Sequence, residues 1–118
     1  MTTLKDYMMA TDETAIYPTE LPDDADPRLV ALCYIMLKLP GECAELSEHI
    51  GKAMRDDGCR ITDERVGKIR KETGDVFWYL ARLCRELGLD PEEILAENLD
   101  KLRSRKERGT LKGSGDDR

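Results

Sequence analysis

The stretch RKETGDVFWYLARL, residues 70–83, decides the fold. Val76, Phe77, Leu80 and Leu83 recur at helical spacing, and the pattern extends backward to Ile69 and Val66 and forward to Cys84 and Leu87. This predicts an amphipathic helix over about residues 63–87. Thr62 or Asp63 suits its N-cap, and Gly88 suits the left-handed position beyond its end. The same stretch carries Glu72 and Asp75, one helical turn apart. At ~100° per residue, with Glu72 as zero, the apolar stripe covers about 20° to 140° and Asp75 lies about 60° to the other side. A carboxylate at the edge of a core is costly unless a cation or water offsets its charge.

A second helix shows the same arrangement. In ECAELSEHIGKAM, residues 42–54, Cys43, Leu46, Ile50, Ala53 and Met54 form the apolar stripe. Glu42 stands at its edge and Glu45 about 60° beyond. Antiparallel packing through the two stripes lets the two acid pairs meet along one seam. Two readings are open for such acids. They are a solvated face served by nearby Lys and Arg, or they are oxygen ligands for Mg²⁺ or Mn²⁺, which retain waters and so leave room for substrate phosphates.

The rest of the chain is also helical in pattern. Residues 1–27 are mixed: MTTLKDYMMATDETA suits a short helix, and IYPTELPDDADP, with three prolines, reads as an irregular connection. RLVALCYIMLKL, residues 28–39, is apolar nearly all round and needs cover on more than one side. Pro40-Gly41 follows, where Pro40 is expected to kink the helix or begin a new one. DPEE, residues 90–93, opens a further helix with Asp90 as cap and Pro91 at the first helical position. Glu93 takes the place of a capping-box acid. No strand pattern of useful length occurs. The predicted fold is all-α, an antiparallel bundle of about four helices, and the excess of apolar surface predicts a homo-oligomer, a dimer or a dimer of dimers. The division expected is an N-terminal segment over 1–27, a helical domain over 28–108 and a flexible tail over 109–118.

Composition narrows the function. The 118 residues carry 25 acids against 19 Lys and Arg, a net charge of -6, which argues against a nucleic-acid partner bound without sequence preference. No apolar run reaches membrane-spanning length, so no membrane partner is expected. Cys33, Cys43, Cys59 and Cys84 form no C-x-x-C pair, and no secretory signal is read, so a reducing cytoplasmic setting is expected. Cys33, Cys43 and Cys84 read as small core residues.

The ordered set Glu42-x-x-Glu45 and Glu72-x-x-Asp75 resembles the motif of the MazG-like nucleoside triphosphate pyrophosphohydrolases. ETAIYP (13–18), GDVFWYLA (74–81), NLDKLRSR (98–105) and the closing RGTLKGSGDDR add to the resemblance. Ala44 and Thr73 depart from it: relatives often have Gly and Leu there. The resemblance implies that Glu42, Glu45, Glu72 and Asp75 hold Mg²⁺, with Mn²⁺ as substitute. It implies attack of a metal-activated water on the α-phosphorus of a nucleotide, giving the monophosphate and pyrophosphate. It also implies phosphate or nucleotide contacts for Lys52, Asn98, Lys101 and Arg105. Hydrolysis of a modified nucleotide or alarmone on the same scaffold is the sibling reading. A helical oligomerisation module without enzymatic activity is the alternative from another class. His49, one turn past Glu45, can reach the seam, but Mg²⁺ favours oxygen, which points to a non-catalytic histidine.

Overall fold

The computed structural model describes residues 2–17 and 21–118. Pro18, the last residue of ETAIYP, and with it Thr19 and Glu20 of the expected irregular connection, lie outside the described residues. Four α-helices and one 3-10 turn make up the described chain, and no strand occurs among the described residues. Helix α1 spans Leu4–Ala10, and the 3-10 turn Thr11–Glu13 follows it directly. Helix α2 spans Pro27–Asp56, α3 spans Asp63–Leu87 and α4 spans Pro91–Glu107.

Local chemistry sets most of these ends. Thr3 and Asp6 form a capping box at the start of α1. Asp26 caps α2, Thr62 caps α3 and Asp90 caps α4, each accepting a backbone N–H of the first turn. Pro27 and Pro91 open their helices, where no N–H is needed. Gly88 ends α3 at φ 66°, and its neighbour Leu89 donates back to the Cys84 carbonyl.

Pro40 does not start a new helix. It lies inside a continuous α2 of 30 residues. The ring removes one backbone donor, but packing of α2 along α3 carries the helix through. Ala31 and Ile35 before the proline and Ala53 after it are all buried, and tertiary burial outweighs a local defect of about 3 kcal/mol.

Helices α2 and α3 form an antiparallel hairpin. Arg65, early in α3, bonds Asp57 just past the end of α2 and reaches His49 about two turns before that end. Glu72 lies against His49, and further along α3 Asp75 shares a pocket with Glu42. The turn between them uses two consecutive left-handed residues, Gly58 at φ 64° and Cys59 at φ 58°. Helix α1 lies on α3, and α4 packs on α1. Lys5 ties α1 to the start of α4 through Asp90 (3.4 Å) and Glu92 (3.1 Å).

The single chain is open. Its radius of gyration is 18.0 Å, against roughly 13–14 Å for a compact chain of this length. Among the described residues, only Met8, Ala31, Ile35 and Ala53 are buried apolar residues. Val66, Phe77, Leu80, Ile50 and Met54, expected in the core stripes, are exposed, and so are Leu95, Leu99 and Leu102 of α4. Cys33 and Cys43 are exposed free thiols, not core residues, and Cys84 is half-buried. An added Cβ at Gly74 would meet nothing within 4 Å, so this glycine marks no close helix contact inside the chain. No helix among the described residues is long and apolar enough to cross a membrane.

Candidate metal centre

The antiparallel hairpin brings the two acid pairs together. Glu42, Glu45 and Glu72 each offer a carboxylate oxygen, and these atoms lie within 4.8 Å of one another. Asp75 stands beside them, facing the same pocket as Glu42. The carboxyl of Glu42 is pushed above its usual range, first by partial removal from water and then by the negative charges of Glu45, Asp75 and Glu72. Among the described residues, Glu42, Glu45 and Asp75 form no ion pair with Lys or Arg. The cluster therefore has the composition and spacing of an oxygen-donor cradle for a hard divalent cation.

His49 supports this cluster from behind. Its Nε2 is 3.6 Å from Glu72 Oε1, and its Nδ1 is 3.3 Å from Arg65 Nη1. A guanidinium only donates, so Nδ1 accepts and the ring proton sits on Nε2, facing Glu72. Arg65 is itself held by both oxygens of Asp57, at 2.8 and 3.2 Å. The chain Asp57–Arg65–His49–Glu72 orients one carboxylate of the cluster. Arg65 carried no signal in the helical pattern, because its partner lies across a turn.

An open pocket of about 370 Å³ adjoins the acids, lined by Thr14, Glu42, Asp75, Trp78 and Tyr79. Trp78 and Tyr79 meet edge-on, with ring centroids 4.9 Å apart at 81°. Trp78 Nε1 donates to Thr14 Oγ1 at 2.9 Å. Burial raises the Tyr79 hydroxyl above its ordinary pKa, and Tyr34, Glu42, Asp75 and Tyr17 add to the shift.

The basic residues expected at the nucleotide are placed elsewhere within the chain. Lys52 pairs with Glu48 one turn away on its own helix, at 3.1 Å. Lys101 and the buried Arg105 of α4 hold Asp116 of the C-terminal tail, at 2.9 and 3.1 Å. The Nε of Arg105 is buried without a partner among the described residues. Asn98 is exposed on the same helix.

Comparison with known proteins gives the family. The profile of the MazG nucleotide pyrophosphohydrolase domain matches residues 33–110, which include both acid pairs and all of α4. The Gene 37 protein of Mycobacterium phage L5 is 39% identical over 112 residues, covering 95% of this chain and 96% of its own length. No solved structure matches the chain significantly. The chain belongs to the MazG nucleotide pyrophosphohydrolase domain family.

Proposed function

We propose that this protein is a Mg²⁺-dependent nucleoside triphosphate pyrophosphohydrolase, with Mn²⁺ as a competent substitute. The observation that carries the reading is the approach of Glu42, Glu45 and Glu72 within 4.8 Å, from two helices, with Asp75 alongside. A bound divalent ion supplies charge neutralisation for the phosphates and a water acidic enough to act as a nucleophile near neutral pH.

The chain's own residues set the remaining requirements. Glu42, Glu45, Glu72 and Asp75 supply the oxygen donors and orient the water for attack on the α-phosphorus. The bond from that phosphorus to the bridging oxygen breaks, and pyrophosphate leaves from the nucleoside monophosphate. The pocket between Thr14, Trp78 and Tyr79 adjoins the acids and is wide enough to take the nucleoside end. Lys101 and Arg105, with Asn98, serve the phosphates across a dimer, where cationic side chains stabilise charge on a transferring phosphoryl group.

The dimer is part of the proposal. Leu37 is 80% exposed and Phe77 51% exposed in the single chain, and half-bare apolar faces along α2, α3 and α4 exceed what a monomer ordinarily leaves to water. A second copy supplies the cover.

A panel of nucleoside and deoxynucleoside triphosphates with Mg²⁺, resolved by chromatography, tests the activity. Monophosphate and pyrophosphate in equal amounts are expected, with no diphosphate. Diphosphate with orthophosphate, or no hydrolysis of any nucleotide with or without Mn²⁺, overturns the reading.

A further inference from the structure

Arg82 is 4% exposed, and the guanidinium has four acceptors. It donates to Tyr17 OH at 2.8 Å, to Thr11 Oγ1 at 3.2 Å, to Asp12 and to Glu86 Oε1 at 2.6 Å. Three of the four belong to one short segment, Thr11–Tyr17, which follows α1 and crosses the outer face of α3. Arg85, one residue-triplet on, grips Asp12 from outside at 3.0 Å. Tyr17 in turn meets Tyr34 of α2 edge-on, with ring centroids 5.7 Å apart. The segment is thus tied to both helices that carry the acids, and Thr14 lies in its middle.

We propose that the Arg82–Asp12 pair is a positioning clamp. It holds Thr11–Tyr17 across α3 so that Thr14 fixes Trp78 as the wall of the pocket beside Glu42 and Asp75, and thereby sets affinity for the nucleoside end of the substrate. The inference rests on the pyrophosphohydrolase reading for its substrate but not for its geometry. Arg82 is buried but Asp12 is 42% exposed, and an ion pair with one partner open to water contributes little to stability. What the guanidinium adds is direction: its planar fork meets several acceptors at fixed angles, which an ammonium cannot do. Those directions place Thr14, the only hydrogen-bond partner of the Trp78 indole among the described residues. Arg82 touches no acid of the metal cluster, so its effect on the reaction runs through the wall alone.

Trp78 is the sole tryptophan of the chain, so its fluorescence reports the wall directly. Three variants of the full chain test the clamp: Arg82→Gln, Asp12→Asn and Thr14→Val. The Asp12 and Thr14 side chains are exposed, so those two variants keep the test valid if Arg82→Gln fails to fold. In Asp12→Asn and Thr14→Val, Trp78 emission is expected to move to the red and acrylamide quenching to rise. KM for the best triphosphate of the panel is expected to rise about tenfold, the scale of one charge-assisted hydrogen bond, with kcat changed less than about twofold on that same scale. Inhibition by inorganic tripolyphosphate, which lacks a nucleoside, stays as in the wild type.

Unchanged Trp78 emission and KM in an active Asp12→Asn protein overturn the clamp alone, as does equal weakening of tripolyphosphate and nucleotide. A wild-type chain that hydrolyses nothing, while Asp12→Asn still releases Trp78, overturns the pyrophosphohydrolase reading and leaves the clamp standing.

Discussion

His49 Nε2 faces Glu72 Oε1 at 3.6 Å, and its other ring nitrogen is fixed by Arg65. The histidine therefore serves the acid cluster by orienting a carboxylate. Replacing Arg65 with Met frees the ring, and Mn²⁺ affinity is expected to fall about 10-fold, the lower end for loss of an outer partner. Calorimetric titration of metal into the purified protein checks this. Affinity equal to wild type removes Arg65 from the site.

Removing a carboxylate has a different signature. Glu72→Ala is expected to lose Mg²⁺ uptake and to lose more turnover than the ~10–100-fold ascribed to an outer-shell change. Metal-free stability is expected to hold or rise, because one of the charges that raise Glu42 is gone. A thermal melt in chelator beside a product assay separates this from misfolding. A marked drop in melting temperature contradicts the expectation.

Acid should loosen the N-terminal segment. Hydrogen bonds from Arg85 and then Arg82 hold the Asp12 carboxyl below the usual carboxylate range. Its folded pKa is depressed, so the stabilisation is present above the unfolded value and is lost as pH falls through the folded one. Glu42 has the opposite sign: its raised pKa means that protonation favours the fold as pH falls toward its unfolded value of 4.5. Trp78 emission in metal-free protein is expected to change below about pH 4, with no such step in Asp12→Asn. A step that persists in that variant assigns it to another group.

Pro40 interrupts the hydrogen bonding of α2 two residues before Glu42. Pro40→Ala is expected to stabilise the fold by about 1–3 kcal/mol, since the helix already spans the position. Denaturant unfolding measures this. Metal affinity in the same variant shows whether the aim of Glu42 depends on the ring, and a destabilised Pro40→Ala protein would show that α2 needs the ring at this position.

Phe77 lines an apolar groove with Tyr7, Leu80 and Leu95, where α1, α3 and α4 meet. If a second copy covers this face, Phe77→Glu is expected to produce a monomer at micromolar concentration by light scattering. An unaltered mass places the oligomer contact elsewhere.

The helices and the acid seam were largely legible in the sequence, because both depend on local order. Caps at Thr62 and Asp90, the stop at Gly88 and the one-turn spacing of each acid pair are all written within a few residues. Of the two outcomes expected at Pro40, a kink or a new helix, the new helix does not form, because the proline's defect is local while the burial of Ile35 and Ala53 that overrides it is not. The core stripes also read as more buried than they are, since periodicity shows which face is apolar and not what covers it. Arg65 and Arg82 stayed hidden for a related reason. Each is a polar residue on an apolar-periodic helix, and apart from Glu86, one turn on from Arg82, its side-chain partners lie 8 to 71 residues away. The run of acceptor-bearing side chains in TDET, residues 11–14, was the available sign of a basic partner elsewhere in the chain.

All four acids lie on α2 and α3, which are adjacent in the chain and joined by one tight turn. A recombination breakpoint before Pro27 or after Leu87 leaves that quartet intact. The N-terminal segment beside the pocket and the helix α4 can then be exchanged or rewritten without dividing the acidic heart.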